Sequence, residues 1–133
     1  MQILIYPMLD DRNIQDDKHI APYALWSGDD NQTAWAAALG KERRGGADVK
    51  PVEAAARATV EDAEGLPPAY IDVGQLDHFA DEDIAYARLL GKAGVDCEFH
   101  LIPHVTHGFE VLIPKDEVTT HVMGMRIKAI TSI

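Results

Sequence analysis

The stretch 69–110, AYIDVGQLDHFADEDIAYARLLGKAGVDCEFHLIPHVTHGFE, decides the fold because its hydrophobic period changes twice. Residues 69–73 (AYIDV) follow Pro67-Pro68 and stop at Gly74, the pattern of a strand bounded by turn residues. From Phe79 to Ala93 the pattern turns helical: Phe79, Tyr86, Leu90 and Ala93 recur on one face. Asp81, Glu82 and Asp83 suit the positive N-terminal end of that helix, and Gly94 suits its C-terminal turn. Residues 97–102 (CEFHLI) then alternate Cys97, Phe99 and Leu101 against Glu98 and His100, as expected of an edge strand with one wetter face.

Working outward, residues 2–9 (QILIYPML) predict another strand, buried on both faces with neighbours on either side. Residues 10–30 are polar and rich in Asp, so a long loop is expected rather than a packed element. Ser27 or Asp30 is placed to cap a helix running to about Leu39, with Trp35, Ala38 and Leu39 inward and Gly40 as its stop. Between Lys41 and Gly65, Gly45-Gly46 and Pro51 interrupt an alanine-rich, charged tract, and no element is assigned. After a loop over 103–110, Val118, Val122, Met125 and Ala129 predict a closing helix from about Lys115. Strands alternating with helices give an α/β fold: a mainly parallel three-stranded sheet with flanking helices, in one domain over 1–133.

The totals narrow the function. Apolar residues make up 47% of the 133 residues and charged ones 26%, so a packed core is expected. The 22 Asp+Glu against 12 Lys+Arg leave a net charge of -10, which repels phosphate backbones and argues against a nucleic-acid partner. No apolar run approaches the roughly 20 residues of a membrane span. With no signal-peptide pattern at the start, a cytoplasmic location is expected. The single Cys97 excludes an intrachain disulfide.

In open parallel sheets, reacting groups gather beyond the carboxyl ends of the strands. GQLDHFADED (74–83) places Asp77 on one such turn, and PHVTHGFE (103–110) places His107 on the next. A carboxylate bonded to one imidazole nitrogen fixes the tautomer and leaves the other nitrogen free to take a proton. Each residue has a plainer reading as well. Asp77 is suited to capping the following helix, and His107 to being an ordinary loop histidine. A zinc site of Asp77, His78, His104 and His107 finds no support in a tight pair on a helix, and Cys97 reads as a small buried hydrophobe. No metal or cofactor is expected.

The segment from Leu66 to Glu110 resembles the C-terminal region of hormone-sensitive-lipase-like esterases, the acetyl- and carboxylesterase type of α/β-hydrolase. QILIYPMLDDR at the start is similar to the strand and turn that follow the nucleophile helix in that family, and the tract Trp26–Gly40 is loosely similar too. The resemblance is weakest over Lys41–Gly65. It implies a partial α/β-hydrolase fold, with Asp77 as the acid and His107 as the base of a catalytic triad acting on a small ester. His78-Phe79 departs from a common Pro-Leu pair, and His104 stands where glycine is usual.

Neither the family's G-x-S-x-G nucleophile elbow nor its H-G-G-G type loop occurs in the sequence. Ser27, between Trp26 and Gly28, lacks the flanking glycines of an elbow and reads as a cap. The resemblance therefore implies a C-terminal segment whose nucleophile lies upstream of Met1, inactive by itself. The alternative is a non-catalytic module that self-associates or docks a partner through an unpaired edge at Ile3–Tyr6. The resemblance also makes 97–102 and 115–131 candidates for a dimer interface.

Overall fold

The structure, a computed structural model, describes residues 1–132. Strands β1 (Gln2–Ile5), β2 (Ala69–Gly74) and β3 (Cys97–Ile102) form one sheet in the order β1-β2-β3, parallel throughout. Helix α1 (Gly28–Leu39) and the one-turn helix α2 (Val60–Ala63) lie between β1 and β2, and α3 (Ala80–Lys92) joins β2 to β3. The short α4 (Phe109–Leu112) and α5 (Glu117–Thr131) follow β3. Three parallel strands with flanking helices are the predicted α/β architecture. The register sets Gly74 beside Ile102, so the loops leaving β2 and β3 start level with each other.

Strand β2 is buried at every position, as a central strand must be. Ile71 joins Tyr86 and Leu90 of α3, with Leu9, Ala63, Ala69 and Val95, in the largest core cluster. A second cluster packs Ile102, Val105 and Phe109 against Val122 of α5, and a third gathers Trp35, Val49 and Ala54. The inner faces expected for α3 and α5 are those observed. On α1, Trp35 is buried and Leu39 half-buried, but Ala38 faces solvent, because the helix touches the body along a narrower stripe than its apolar residues span. Ser27 is its N-cap: the hydroxyl accepts from the Asp30 N–H while the Asp30 carboxylate accepts from the Ser27 N–H, a reciprocal capping box.

β1 differs from its expected form in two ways. It pairs only with β2 among the described residues and is half-buried at every position rather than buried on both faces. It also ends at Ile5 rather than at residue 9. Tyr6 has φ +36°, a left-handed backbone for a residue with a Cβ, and Pro7 pushes the residue before it toward extended angles instead. Such a conformation costs ~1–3 kcal/mol and persists only where surrounding contacts enforce it.

The tract from Lys41 to Gly65 has more structure than its composition suggests. A single 3-10 turn at Ala55–Arg57 precedes α2, which Thr59 caps through a second reciprocal box with Asp62. The Asp-rich stretch is a largely exposed loop, as expected, but its start is anchored. Asp11 is fully buried, accepts two bonds from the Arg57 guanidinium at 2.7 and 2.9 Å, and accepts a third from the Gly45 N–H at 2.7 Å. Burial alone would raise the Asp11 carboxyl, but these donors hold it below its usual range.

Candidate active site

The loops after β2 and β3 are stitched together before either functional side chain is reached. The Gln75 N–H donates to the Ile102 carbonyl at 2.8 Å, and the Leu76 N–H to the Val105 carbonyl at 3.0 Å. Gly74 permits this approach. A Cβ at that position would collide with the Val105 carbonyl oxygen, with its carbon only 2.9 Å away and the Thr106 oxygen at 3.1 Å. Beyond His107, Gly108 at φ +63° turns the chain sharply into α4, a conformation that glycine adopts without penalty.

The two loops deliver Asp77 and His107 to each other. His107 Nδ1 lies 3.0 Å from Asp77 Oδ2, and the second carboxylate oxygen accepts the Phe79 N–H at 3.0 Å. The Asp77 side chain is completely buried, whereas 24% of the His107 side chain is exposed. The carboxylate holds the imidazole and ties down the turn before α3 through the Phe79 N–H; it is not the helix cap, because the N-cap is Phe79, which receives no side-chain capping bond. With Nδ1 engaged as donor, Nε2 is the nitrogen left to exchange protons.

Three aromatic rings surround the imidazole. The Tyr6 centroid is 4.3 Å away, Phe79 meets it edge-on at 5.4 Å, and Trp26 lies at 6.1 Å. Tyr6, Trp26, Phe79 and His107, with Ile5, Pro7, Met8 and Ala34, line an apolar cavity of about 350 Å³. A second cavity, of about 290 Å³, is lined by Asp77 itself with Asp10, Asp16, Asp17, His78 and Asp81 among others. The apolar cavity holds the exposed part of the imidazole and is therefore where proton chemistry has room.

The other flagged histidines do not join the pair. His78 Nε2 is 3.3 Å from the Asn13 carbonyl oxygen, while Asn13 donates to the His78 carbonyl at 3.0 Å. His104 is exposed with φ +63°, which explains physically why glycine suits that position. Ser27 caps α1, and Cys97 is half-buried, with burial pushing its thiol up.

A carboxylate cluster surrounds Asp77 on the α3 side. Glu82 accepts from the Leu9 N–H at 2.5 Å, the Asp10 N–H at 3.0 Å and the Asn13 amide at 2.6 Å, yet burial pushes it up to about 7. Asp83 is fully buried, and neither of its oxygens has a hydrogen-bond partner. Burial first, then the neighbouring Glu82, Asp77 and Asp72, push it up to about 10, so it stands as a neutral acid at pH 7.

A pH dependence follows. Between the unfolded value near 4 and about 10 the folded chain keeps the Asp83 proton that the unfolded chain has lost, and Glu82 behaves alike up to about 7. Stability therefore falls as pH rises through this window, by up to ~1.4 kcal/mol per unit for each group. Asp83→Asn, which keeps the shape without a titrating proton, is expected to shrink the loss between pH 5.5 and 8 by at least ~1.4 kcal/mol in urea unfolding. Equal pH dependence in both proteins would contradict a protonated Asp83.

The residues that sequence reasoning missed are Tyr6, Trp26, Glu110, Arg126 and Asp72. Arg126 interrupts the apolar stripe of α5, and Asp72 interrupts the apolar run of β2. Each signals a buried charge that needs a partner. They are that partner for one another: Arg126 Nε and Nη2 reach the Asp72 oxygens at 2.8 and 2.7 Å.

Parallel strands flanked by helices, with an acid and a histidine paired beyond adjacent strand ends, are features of a hydrolase-type α/β protein. The chain belongs to the alpha/beta hydrolase fold family, whose model matches residues 1–111. Carboxylesterase NlhH of Mycobacterium tuberculosis is 42% identical over 48 residues, 36% of this chain and 15% of that protein. Lipase 2 of a Moraxella species is 46% identical over 44 residues, 33% of this chain and 10% of that protein. Among solved structures, a bacterial heroin esterase superimposes with a TM-score of 0.78 and 32% identity over 97% of this chain and 41% of its own. Esterase LipW of Mycobacterium marinum does so with 0.77 and 29% over 96% and 38%. The chain thus spans well under half the length of the relatives it matches.

Proposed function

We propose that this chain supplies the acid and the base of a serine carboxylesterase acting on short-chain carboxylic esters. Asp77 orients the imidazole, and His107 Nε2 takes the proton of a serine hydroxyl as that oxygen attacks the ester carbonyl. The imidazolium then returns the proton to the departing alkoxide, leaving an acyl-serine. Water, deprotonated by the same nitrogen, releases the acid. The nucleophile and the oxyanion donors belong to a segment outside these 133 residues, as a G-x-S-x-G elbow would provide. The observation that carries this reading is the 3.0 Å contact between His107 Nδ1 and a fully buried Asp77.

The isolated chain is then inactive, since neither attacking oxygen nor oxyanion donors are at hand. The test is hydrolysis of a short p-nitrophenyl ester by the purified chain, alone and mixed with a nucleophile-bearing segment from a relative. Turnover only in the mixture supports the proposal. Turnover by the chain alone, abolished in His107→Ala, contradicts it.

A second reading is favoured by the sheet edges. β1 and β3 each pair on one side only among the described residues, and Met123, Ile127 and Ile130 present apolar surface on α5. An unpaired strand and an exposed apolar stripe favour association with another chain, including a second copy. A monomeric mass at high concentration counts against it. No helix among the described residues is long and apolar enough to cross a membrane.

A further inference from the structure

Tyr6 combines three observations that the acid–base pair does not account for. Its backbone holds φ +36° directly before a proline. Its ring is the one packed most closely on His107, at 4.3 Å and tilted by 59°. Its hydroxyl donates a short bond, 2.5 Å, to Glu110 Oε1. The same Glu110 oxygen lies 3.3 Å from Arg126 Nη1, and the guanidinium sits 5.4 Å over the Tyr6 ring. Arg126 in turn is locked onto Asp72 in the central strand by two bonds. The Tyr6 N–H completes the loop by donating to the Asp72 carbonyl at 2.7 Å.

We propose that Tyr6, held by Glu110 and Arg126, is a positioning residue for His107, bracing the imidazole in the plane that its bond to Asp77 requires. The proposal rests on the reading of His107 as the base. A hydrogen bond at Nδ1 holds one edge of the ring but still lets it rock about χ1 and χ2 within the tolerance of that bond. A second contact, from a ring whose own far end is anchored, removes that freedom. The strained backbone is intelligible on the same grounds, because left-handed angles at a residue with a Cβ survive where the surroundings over-determine them, commonly at functional sites. The anchor also keeps its charge pattern. Burial, then the Glu110 bond, push the Tyr6 phenol up to about 12, so it remains a donor, while burial at Glu110 is outweighed by Tyr6 and Arg126, which hold that carboxyl below its usual value. Anchoring through Arg126 ties the base to β2 and α5 rather than to loops alone.

The test uses the full chain labelled with 15N, reading solvent exchange of the His107 Nδ1 proton, assigned by its loss in His107→Ala. Tyr6→Phe keeps the ring and removes its anchor. Exchange is expected to rise roughly tenfold, the lower end of what losing one hydrogen bond to a charged group brings, with amide dispersion unchanged. Glu110→Ala is expected to do the same and serves if Tyr6→Phe does not fold. Glu110→Gln, which still offers an oxygen to the phenol, is expected to restore slow exchange. Unchanged exchange in both Tyr6→Phe and Glu110→Ala overturns the proposal while leaving the base reading intact, provided Asp77→Asn still accelerates exchange or removes the Nδ1 proton signal. If Asp77→Asn changes nothing, the base reading itself fails, and this inference with it.

Discussion

Asp72→Ala is expected to destabilise the chain by ~3–5 kcal/mol, the largest stability effect of any single substitution considered. Asp72 is completely buried in β2, and Arg126 on α5 is only 4% exposed. Removing the carboxylate leaves a guanidinium without its two bonds in a site that water does not reach, which is where breaking a buried pair costs most. The nearby Glu110 offers only one contact, at 3.3 Å, and cannot replace a two-point partner. Replacing both residues by apolar ones of similar volume, Asp72→Leu with Arg126→Met, is expected to recover most of that loss, because the pair's attraction roughly balances its desolvation. Urea unfolding of the two variants checks this. A loss under ~1 kcal/mol in Asp72→Ala would mean that the pair is solvated and does not fasten α5 to the sheet.

The second large effect falls on catalysis. In the mixture with a nucleophile-bearing segment, Asp77→Asn is expected to lower kcat by about 10⁴-fold with little change in KM. The substitution keeps size and burial but presents an amide N–H₂ or carbonyl where a carboxylate stood. An amide that donates to Nδ1 places the imidazole proton on Nε2, the nitrogen that must accept from serine. His107→Ala removes the proton acceptor and is expected to cost a similar factor, and the double variant no more than either alone, because the two act as one unit. Additive losses would indicate that the residues act independently and that their 3.0 Å contact is incidental.

Why the sequence revealed the pair but not its surroundings is a matter of range. Asp77 and His107 each sit a few residues beyond a strand whose period is plain, and parallel pairing brings those ends level. Local pattern and one topological rule suffice. The strand limits at Gly74 and Ile102 and the buried faces of α3 and α5 were legible for the same reason. The end of β1 was not. QILIYPML is apolar after Gln2, and only the contacts of Tyr6 with His107 and Glu110, both more than a hundred residues away, show what holds the left-handed turn there. Glu110 and Arg126 were invisible because their partners lie on other elements, and an Arg within an apolar stripe names no partner. The tract before Gly65 looked structureless since its α2 spans only Val60–Ala63, too short for a periodic signal. Its capping box at Thr59 and Asp62 was a local signal that went unread.

The measurement that bears most directly on the central claim is the protonation pattern of the His107 imidazole nitrogens, read by 15N NMR above the ring's titration in the chain and in Asp77→Asn. The account predicts a single neutral tautomer with the proton on Nδ1 facing Asp77, reversed or mixed once the carboxylate becomes an amide. A proton residing on Nε2 in the unaltered chain, or a pattern indifferent to Asp77→Asn, would contradict it.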